Sequence, residues 1–331
     1  MQRKECIKVM NAIDIVNYQY GLVKFPTTFK SPISVVWNIT GMCPWICQYC
    51  YRDFSGKDLS DEQLLNIAKQ IVDFEIVQVV IQGGEPLIKK PLLHKILKLF
   101  AENKIITTVM TSGYNLQKDD ISLFEDCNTA VRVGLDGVNE ELHNSIRGHA
   151  GAYNAAISAL KLLSEKIDKV IVDTVLFKKN YLHIGDLIDY IANFKNIHYM
   201  QAHVFIQKGQ ARTHQEQQLS FEQRQYVMET IAKKTTEYEG RLSCSIKDPT
   251  LELRQSMRTR VPNMEMVIES DGTVKMSPWI PITLGSLNSS SLIDIWHSGM
   301  EDCWKNEHVQ AYLSGMKSVN DLSENFQIER G

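Results

Sequence analysis

Two spacings of apolar residues alternate along the first two thirds of the chain. Short runs rich in β-branched residues fall at Ile33–Thr40, Val77–Ile81, Ile105–Met110, Ala130–Leu135, Val170–Leu176 and His198–Ile206, and they read as buried strands. Between them the spacing becomes that of one helix face. Leu64, Leu65, Ile67 and Ile71 follow Ser60 and Gln63, a Ser-x-x-Gln capping box that marks a helix start. Pro91 stands at a first helical position ahead of Leu92, Leu93, Ile96, Leu97 and Phe100. Further helices are predicted at 151–164, 181–194 and 219–237, the last behind a second capping box, Ser220 and Gln223. Six strand–helix units in succession predict parallel strands with crossover helices, an open or closed α/β barrel. Chemistry in such barrels gathers at the C-terminal ends of the strands.

Beyond about residue 240 the rhythm changes. Met264–Met276 reads as a hairpin turning at Asp271–Gly272, and Ser290–Trp296 as a short helix. There is no internal repeat and no low-complexity tract. Polar residues dominate after about residue 317, which predicts a loosely held tail.

Composition narrows the class. A chain of 331 residues, 44% hydrophobic and 23% charged, can bury a large core without staples. At ~150 residues per domain it makes about two domains. A net charge of −3 gives no global electrostatic case for nucleic acid. No stretch approaches the ~20 uninterrupted apolar residues of a membrane span. The start, Met1–Cys6, is basic but has no apolar run behind it, so no signal peptide is expected. The expected location is cytoplasmic, with no membrane partner. In a reducing compartment, clustered cysteines read as metal ligands or catalytic groups rather than as disulfides.

Three of the seven cysteines are clustered: Cys43, Cys47 and Cys50 follow directly on the first strand. Thiolates are the natural ligands of iron–sulfur clusters. Three of them can hold three corners of a four-iron cubane, and the fourth iron stays open to a substrate or cofactor. Structural zinc asks for a fourth Cys or His close by, and the nearest His is His94. Redox dithiol chemistry needs only two cysteines.

The spacing Cys-x3-Cys-x-aromatic-Cys after a first strand resembles the signature of the radical S-adenosylmethionine (radical SAM) superfamily. There the open iron chelates the amino and carboxylate groups of S-adenosyl-L-methionine. Gln82–Gly83–Gly84–Glu85–Pro86 matches the superfamily's Gly-Gly-Glu-Pro motif, which contacts the methionyl amino group. Glycines there let a cofactor approach the backbone, and Glu85 can accept from an ammonium. Thr111–Ser112–Gly113 stands where relatives often carry Thr-Asn-Gly. Val133–Gly137 with Glu141, His143, Arg147 and Gly148 is similar to the Ser-Leu-Asp-Gly…Glu-x-His-x3-Arg-Gly run of peptide-modifying members. Gly134 replaces the usual Ser, so a ribose contact does not carry over to it. Arg147 matches the residue that pairs with the cofactor carboxylate. Tyr49 is placed by the resemblance near the adenine.

The resemblance thus implies Cys43, Cys47 and Cys50 as ligands of one [4Fe–4S] cluster. It implies Tyr49, Gly83, Gly84, Glu85, Ser112 and Arg147 as contacts of S-adenosyl-L-methionine. It covers residues 31–240 and, more weakly, 241–300. The implied fold is α/β, a partial (β/α)6 TIM-like barrel with a small C-terminal α+β extension. The expected divisions are an N-terminal extension at 1–30, the barrel at 31–240 and the second unit at 241–331. That unit resembles a SPASM or twitch extension, which usually carries auxiliary clusters. Ser277 stands about where relatives have Cys, and no Cys lies between 245 and 302. Cys6, Cys127, Cys244 and Cys303 are single and far apart, so one cluster only is expected. With no auxiliary cluster to take an electron, redox-neutral chemistry or return of the electron to the first cluster is favoured.

Other residues carry two readings each. Cys244 is a buried apolar thiol or, as in peptide epimerases of the superfamily, a hydrogen-atom donor. Asp173, inside the fifth strand, is a hydrogen-bonded barrel residue or an acid/base group or substrate anchor. Arg254, Arg258 and Arg260 form a solvated basic face or clamp an anion. Lys178–Lys179–Asn180 form a solvated loop or meet substrate. Trp37 and Trp45 pack in the core or shield the cluster.

The resemblance implies an enzyme. A flavodoxin- or ferredoxin-type donor reduces the cluster, S-adenosylmethionine is cleaved, and a 5′-deoxyadenosyl radical abstracts a substrate hydrogen. The motif run and the SPASM-like tail lean towards modification of a ribosomally made peptide (RiPP). The barrel has about 30 residues ahead of it, so a separate leader-peptide-binding protein is expected as a partner. The alternative substrate is a small sugar or nucleoside undergoing dehydration, decarboxylation or epimerisation. A reading of another class is a non-catalytic Fe–S scaffold, against which the intact cysteine triad and Gly-Gly-Glu-Pro speak.

Overall fold

The computed structural model describes residues 29–51, 57–259, 263–280 and 282–322. Cys6, nearly all of the 1–30 extension, Arg260 and the end of the tail lie outside the described residues.

The six expected strands form: β1 (Ser34–Asn38), β2 (Gln78–Gln82), β3 (Ile106–Thr111), β4 (Ala130–Gly134), β5 (Val170–Leu176) and β6 (Ile197–Val204). Each pairs in parallel with the next, for example Val36 with Val80 and Met110 with Arg132. A seventh strand, β7 (Ser243–Lys247), pairs in parallel with β6. Its sequence, Ser-Cys-Ser-Ile-Lys, has no apolar run, so periodicity passes over it. On the other side of β1 lies β8 (Glu265–Ile268), also parallel, then β9 (Thr273–Lys275) and β10 (Thr283–Ser286), both antiparallel. The expected hairpin is β8–β9, and Gly272 at its turn has φ 87°. The result is a parallel barrel sheet with an antiparallel C-terminal extension.

Helices α1 (Asp61–Asp73), α2 (Lys90–Glu102), α3 (Lys118–Asp126), α4 (Glu140–Arg147), α5 (Ala152–Lys166), α6 (Ile184–Ala192) and α7 (Phe221–Glu237) cover the outer face. Both expected capping boxes are made, Ser60 with Gln63 and Ser220 with Gln223. The two short helices α3 and α4 are additions to the sequence prediction. The core lies between sheet and helices, so alternate strand residues divide between it and the barrel interior. Val35, Trp37 and Ile39 face the helices, while Val36 faces inward. Trp37 is fully buried with its ring 6.4 Å from Phe100, so it packs the core and does not shield the cluster loop.

The extension adds α8 (Pro249–Thr259), α9 (Leu292–Ile295) and α10 (Glu307–Ser314). Trp296, fully buried, donates from Nε1 to the Phe29 carbonyl. The expectation of a loose tail is corrected up to residue 322. Val319 and Leu322 are buried, Val319 N donates to Thr250 Oγ1 at 3.1 Å, and Asn320 Oδ1 accepts from Gln207 N at 2.8 Å. Polar side chains pin this segment to the barrel instead of solvating it. No helix among the described residues is long and apolar enough to cross a membrane.

Candidate active site

A cavity of about 360 Å³ runs from the loops after β1–β4 down into the barrel. Cys43, Cys47 and Cys50 share one wall of it, on the loop that leaves β1. Two anchors hold that loop. Asp58 accepts from Thr40 Oγ1 and from Gly41 N, and Gln48 N donates to the Ile146 carbonyl at the end of α4. Burial pushes the Cys43 thiol up and the Cys47 thiol to about 12, with the Arg147 cation opposing in each case. A bound metal charge inverts that preference and favours thiolates. Among the described residues no three ligand groups converge on a single ion. Three thiols spread around one wall, with the cavity on their open side, fit a multi-iron cubane better than zinc.

The glycine motif seats this loop. A Cβ on Gly84 would lie 1.9 Å from the Met42 carbonyl oxygen, and one on Gly83 2.5 Å from that of Thr40. Gly84 N and Glu85 N donate to those same two carbonyls at 2.8 and 2.9 Å. The glycines are therefore required first by the approach of chain to chain, although both also line the cavity. Glu85 follows them as an acceptor for donors of its own chain. Its carboxylate is fully buried and accepts from Leu87 N, Thr111 Oγ1, Ser112 N and Ser112 Oγ. Four internal donors leave it nothing for an external ammonium. Burial still raises its pKa against those hydrogen bonds. Ser112 lines the cavity, but its hydroxyl proton is directed to Glu85.

Asp136 organises the opposite wall. Its Oδ2 accepts from Arg147 Nε at 2.6 Å and from Tyr49 OH at 3.1 Å, and its Oδ1 accepts from Val175 N at 2.9 Å. Arg147 lies with its guanidinium carbon 5.2 Å from the centroid of the Tyr49 ring. Burial disfavours the Arg147 cation, but Asp136 outweighs it and holds the group charged. The Arg147 terminal nitrogens close over Gly134, where a Cβ would lie 2.0 Å from one of them. The departure from Ser to Gly at 134 thus makes the space that Arg147 fills. Tyr49 keeps its place on the cavity wall, with one face under Arg147 and its hydroxyl spent on Asp136. His143 holds the same loop by accepting from Asp136 N at 3.0 Å through Nδ1. Burial, assisted by Arg147, drops its pKa to about 3, so it is neutral.

Deeper in the barrel lies a polar group that the sequence reading largely missed. Asp173 is buried and accepts from Arg132 Nε and Nη2 at 2.8 and 2.5 Å and from His203 Nε2 at 3.0 Å. Burial raises its pKa, but His203 and Arg132 prevail and hold it below the usual carboxylate range. Asp173 is a hydrogen-bonded barrel residue, and its partners Arg132 and His203 line the cavity with it. A carboxylate accepts only, so His203 donates to it from Nε2, and the His203 side chain lines the cavity. Gln201, Lys247, Glu265 and Trp279 complete this region. The signal for it was present: Arg132, Asp173, Gln201 and His203 are polar residues inside strands read as buried.

Other candidates lie elsewhere. Cys244 packs against the core. It sits on the outer face of β7 against Thr235 of α7, away from the cavity lining, and burial raises its pKa to about 11. Cys127 and Cys303 are buried in separate places. Arg254 donates to the Lys317 carbonyl, and Arg258 is exposed, so neither clamps an anion in the cavity. Lys178 is exposed and Lys179 bonds to Gln48, while Asn180 is a buried brace that donates to the Asp136 and Val175 carbonyls. Trp45 is buried on the cavity wall between Tyr114 and His149.

Residues 37–191 match the profile of the radical SAM superfamily. The chain is 27% identical over 166 residues to a PqqA peptide cyclase of Bradyrhizobium diazoefficiens, covering 49% of this chain and 43% of that one. It is 30% identical over 164 residues to the antilisterial bacteriocin subtilosin biosynthesis protein AlbA of Bacillus subtilis, covering 48% and 36%. These alignments span less than half of each relative. The crystal structure of Streptococcus suis SuiB bound to its precursor peptide SuiA superposes with a TM-score of 0.69 at 15% identity, covering 94% of this chain and 74% of that one. That likeness shows the fold, extension included.

Proposed function

We propose, from the match of residues 37–191 to the radical SAM superfamily profile, that this chain is a radical SAM enzyme that modifies a ribosomally made peptide. The observation that carries the chemistry is a single cavity at the strand ends. It brings together three thiols, the Gly83–Gly84 seat beneath them and the Arg147–Asp136 pair. A four-iron cluster with S-adenosylmethionine supplies, on one-electron reduction, a 5′-deoxyadenosyl radical able to take hydrogen from an unactivated carbon.

The chain's own work is positional. Cys43, Cys47 and Cys50 are the cluster ligands in this reading. Gly83, Gly84 and Glu85 fix the loop that carries them, with Glu85 acting through Ser112. Arg147, held by Asp136 through Nε, offers its terminal nitrogens to the cofactor carboxylate. Tyr49 and Trp45 exclude water from that end. His203, oriented by Asp173, is the acid/base group of the cavity in this reading. One cluster per chain remains part of the proposal, with a flavodoxin- or ferredoxin-type donor.

The peptide substrate rests on the relatives: a peptide cyclase and a bacteriocin biosynthesis protein in sequence, and a precursor-peptide complex in fold. Anaerobic reconstitution tests the chemistry. The wild type is expected to absorb near about 400 nm and to release 5′-deoxyadenosine with dithionite. Cys47→Ala is expected to lose both. A colourless wild type without cleavage overturns the reading and leaves a non-catalytic scaffold.

A further inference from the structure

Glu265 opens β8, and in the sheet it stands in one row with Ser34 of β1 and Gln78 of β2. Strand alternation sends Met266 and Ile268 outward into the core and turns Glu265 towards the barrel interior, where it lines the cavity. Among the described residues its carboxylate has no hydrogen-bond or ion-pair partner. Lys247, the cation that acts on it, makes its contacts elsewhere: its ammonium lies 3.5 Å from Glu252 and 5.9 Å from the centroid of the Trp279 ring. Burial pushes the Glu265 pKa up, and Lys247 only partly offsets this.

The contrast within the cavity is sharp. Asp136 and Asp173 each hold an Arg, and Glu85 holds four donors. Only Glu265, among these carboxylates, faces the cavity with no hydrogen-bond or ion-pair partner among the described residues. A half-buried carboxylate left unpaired is costly unless a ligand supplies the missing charge. The aromatic pair Trp279 and Tyr51, with ring centroids 5.4 Å apart, lines the same cavity. Aromatic faces suit a cation too.

We propose that the cavity is built for a substrate carrying a primary ammonium group, with Glu265 as its counter-charge and Trp279 and Tyr51 as the walls beside it. This rests on the reading of the cavity as the substrate site and specifies the substrate's charge. In a peptide the ammonium is a lysine side chain or a free amino terminus.

The test uses the reconstituted protein with S-adenosylmethionine bound and calorimetric titration of three probes. Nα-acetyl-lysinamide carries a side-chain ammonium, norleucinamide an α-ammonium, and Nα-acetyl-norleucinamide none. The expected result is saturable binding of one or both amines, with the neutral probe at least tenfold weaker. Glu265→Gln is expected to weaken the amine at least tenfold, while Glu265→Asp retains it. Glu265→Gln is also expected to melt at the same temperature as wild type or higher, because an uncompensated charge is removed. Equal binding of the amine by wild type and Glu265→Gln, no binding of either amine, or a lower melting temperature in Glu265→Gln overturns the proposal. Release of 5′-deoxyadenosine, measured on the same samples, separates this failure from failure of the radical SAM reading.

Discussion

Arg147 and Gly134 share one volume. The guanidinium is fixed by Asp136 at 2.6 Å and lies where any side chain at 134 would begin. Gly134→Ser therefore has to expel the terminal nitrogens from their place. The far end of an Arg can move, but here its motion costs the Asp136 pair and the Tyr49 contact, both desolvated. The expected outcome is a folded protein whose affinity for S-adenosylmethionine falls about tenfold or more, read by equilibrium binding to the reconstituted enzyme. Glu85 teaches a related lesson. Its place in the motif was legible in the sequence, but its direction was not, because only the tertiary approach of Thr111 and Ser112 occupies its oxygens.

At the scale of elements, local chemistry reads best where one side chain satisfies a nearby backbone group. Ser60 accepts from Gln63 N, and Gln63 returns the bond to Ser60 N. Ser60→Ala is expected to lower unfolding free energy by about 1 kcal/mol in urea titration, because the helix-end donor Gln63 N loses its side-chain acceptor. The elements that escaped prediction are short or polar. α3 offers only two turns of apolar spacing. β7 is held by pairing with β6 and by Tyr199 OH on Ser245, neither of which its own five residues announce. Cys244 inherits its outward direction from that register.

Across the whole molecule, stability is tied to the loop that faces the cavity. His143 is fully buried and neutral, with a pKa near 3 against an ordinary value of 6.5. The unfolded chain thus takes up this proton first, and stability falls as pH drops below about 6.5, continuing to about pH 3. The slope approaches about 1.4 kcal/mol per pH unit from this group alone. Urea unfolding at about pH 7.5 and about pH 5.5 should show that loss, and His143→Gln should flatten the difference. The sequence by itself determined the strand–helix alternation, the parallel barrel, the hairpin and the cysteine and glycine motifs. Each of these is written in near neighbours, where period, cap and turn chemistry act. Tertiary structure alone decided that β8 walls the barrel beside β1, that Gly134 makes room for Arg147, and that Glu85 is spent while Glu265 stands unpaired. Those outcomes depend on which groups meet across long loops, and a carboxylate's role is set by the donors that reach it.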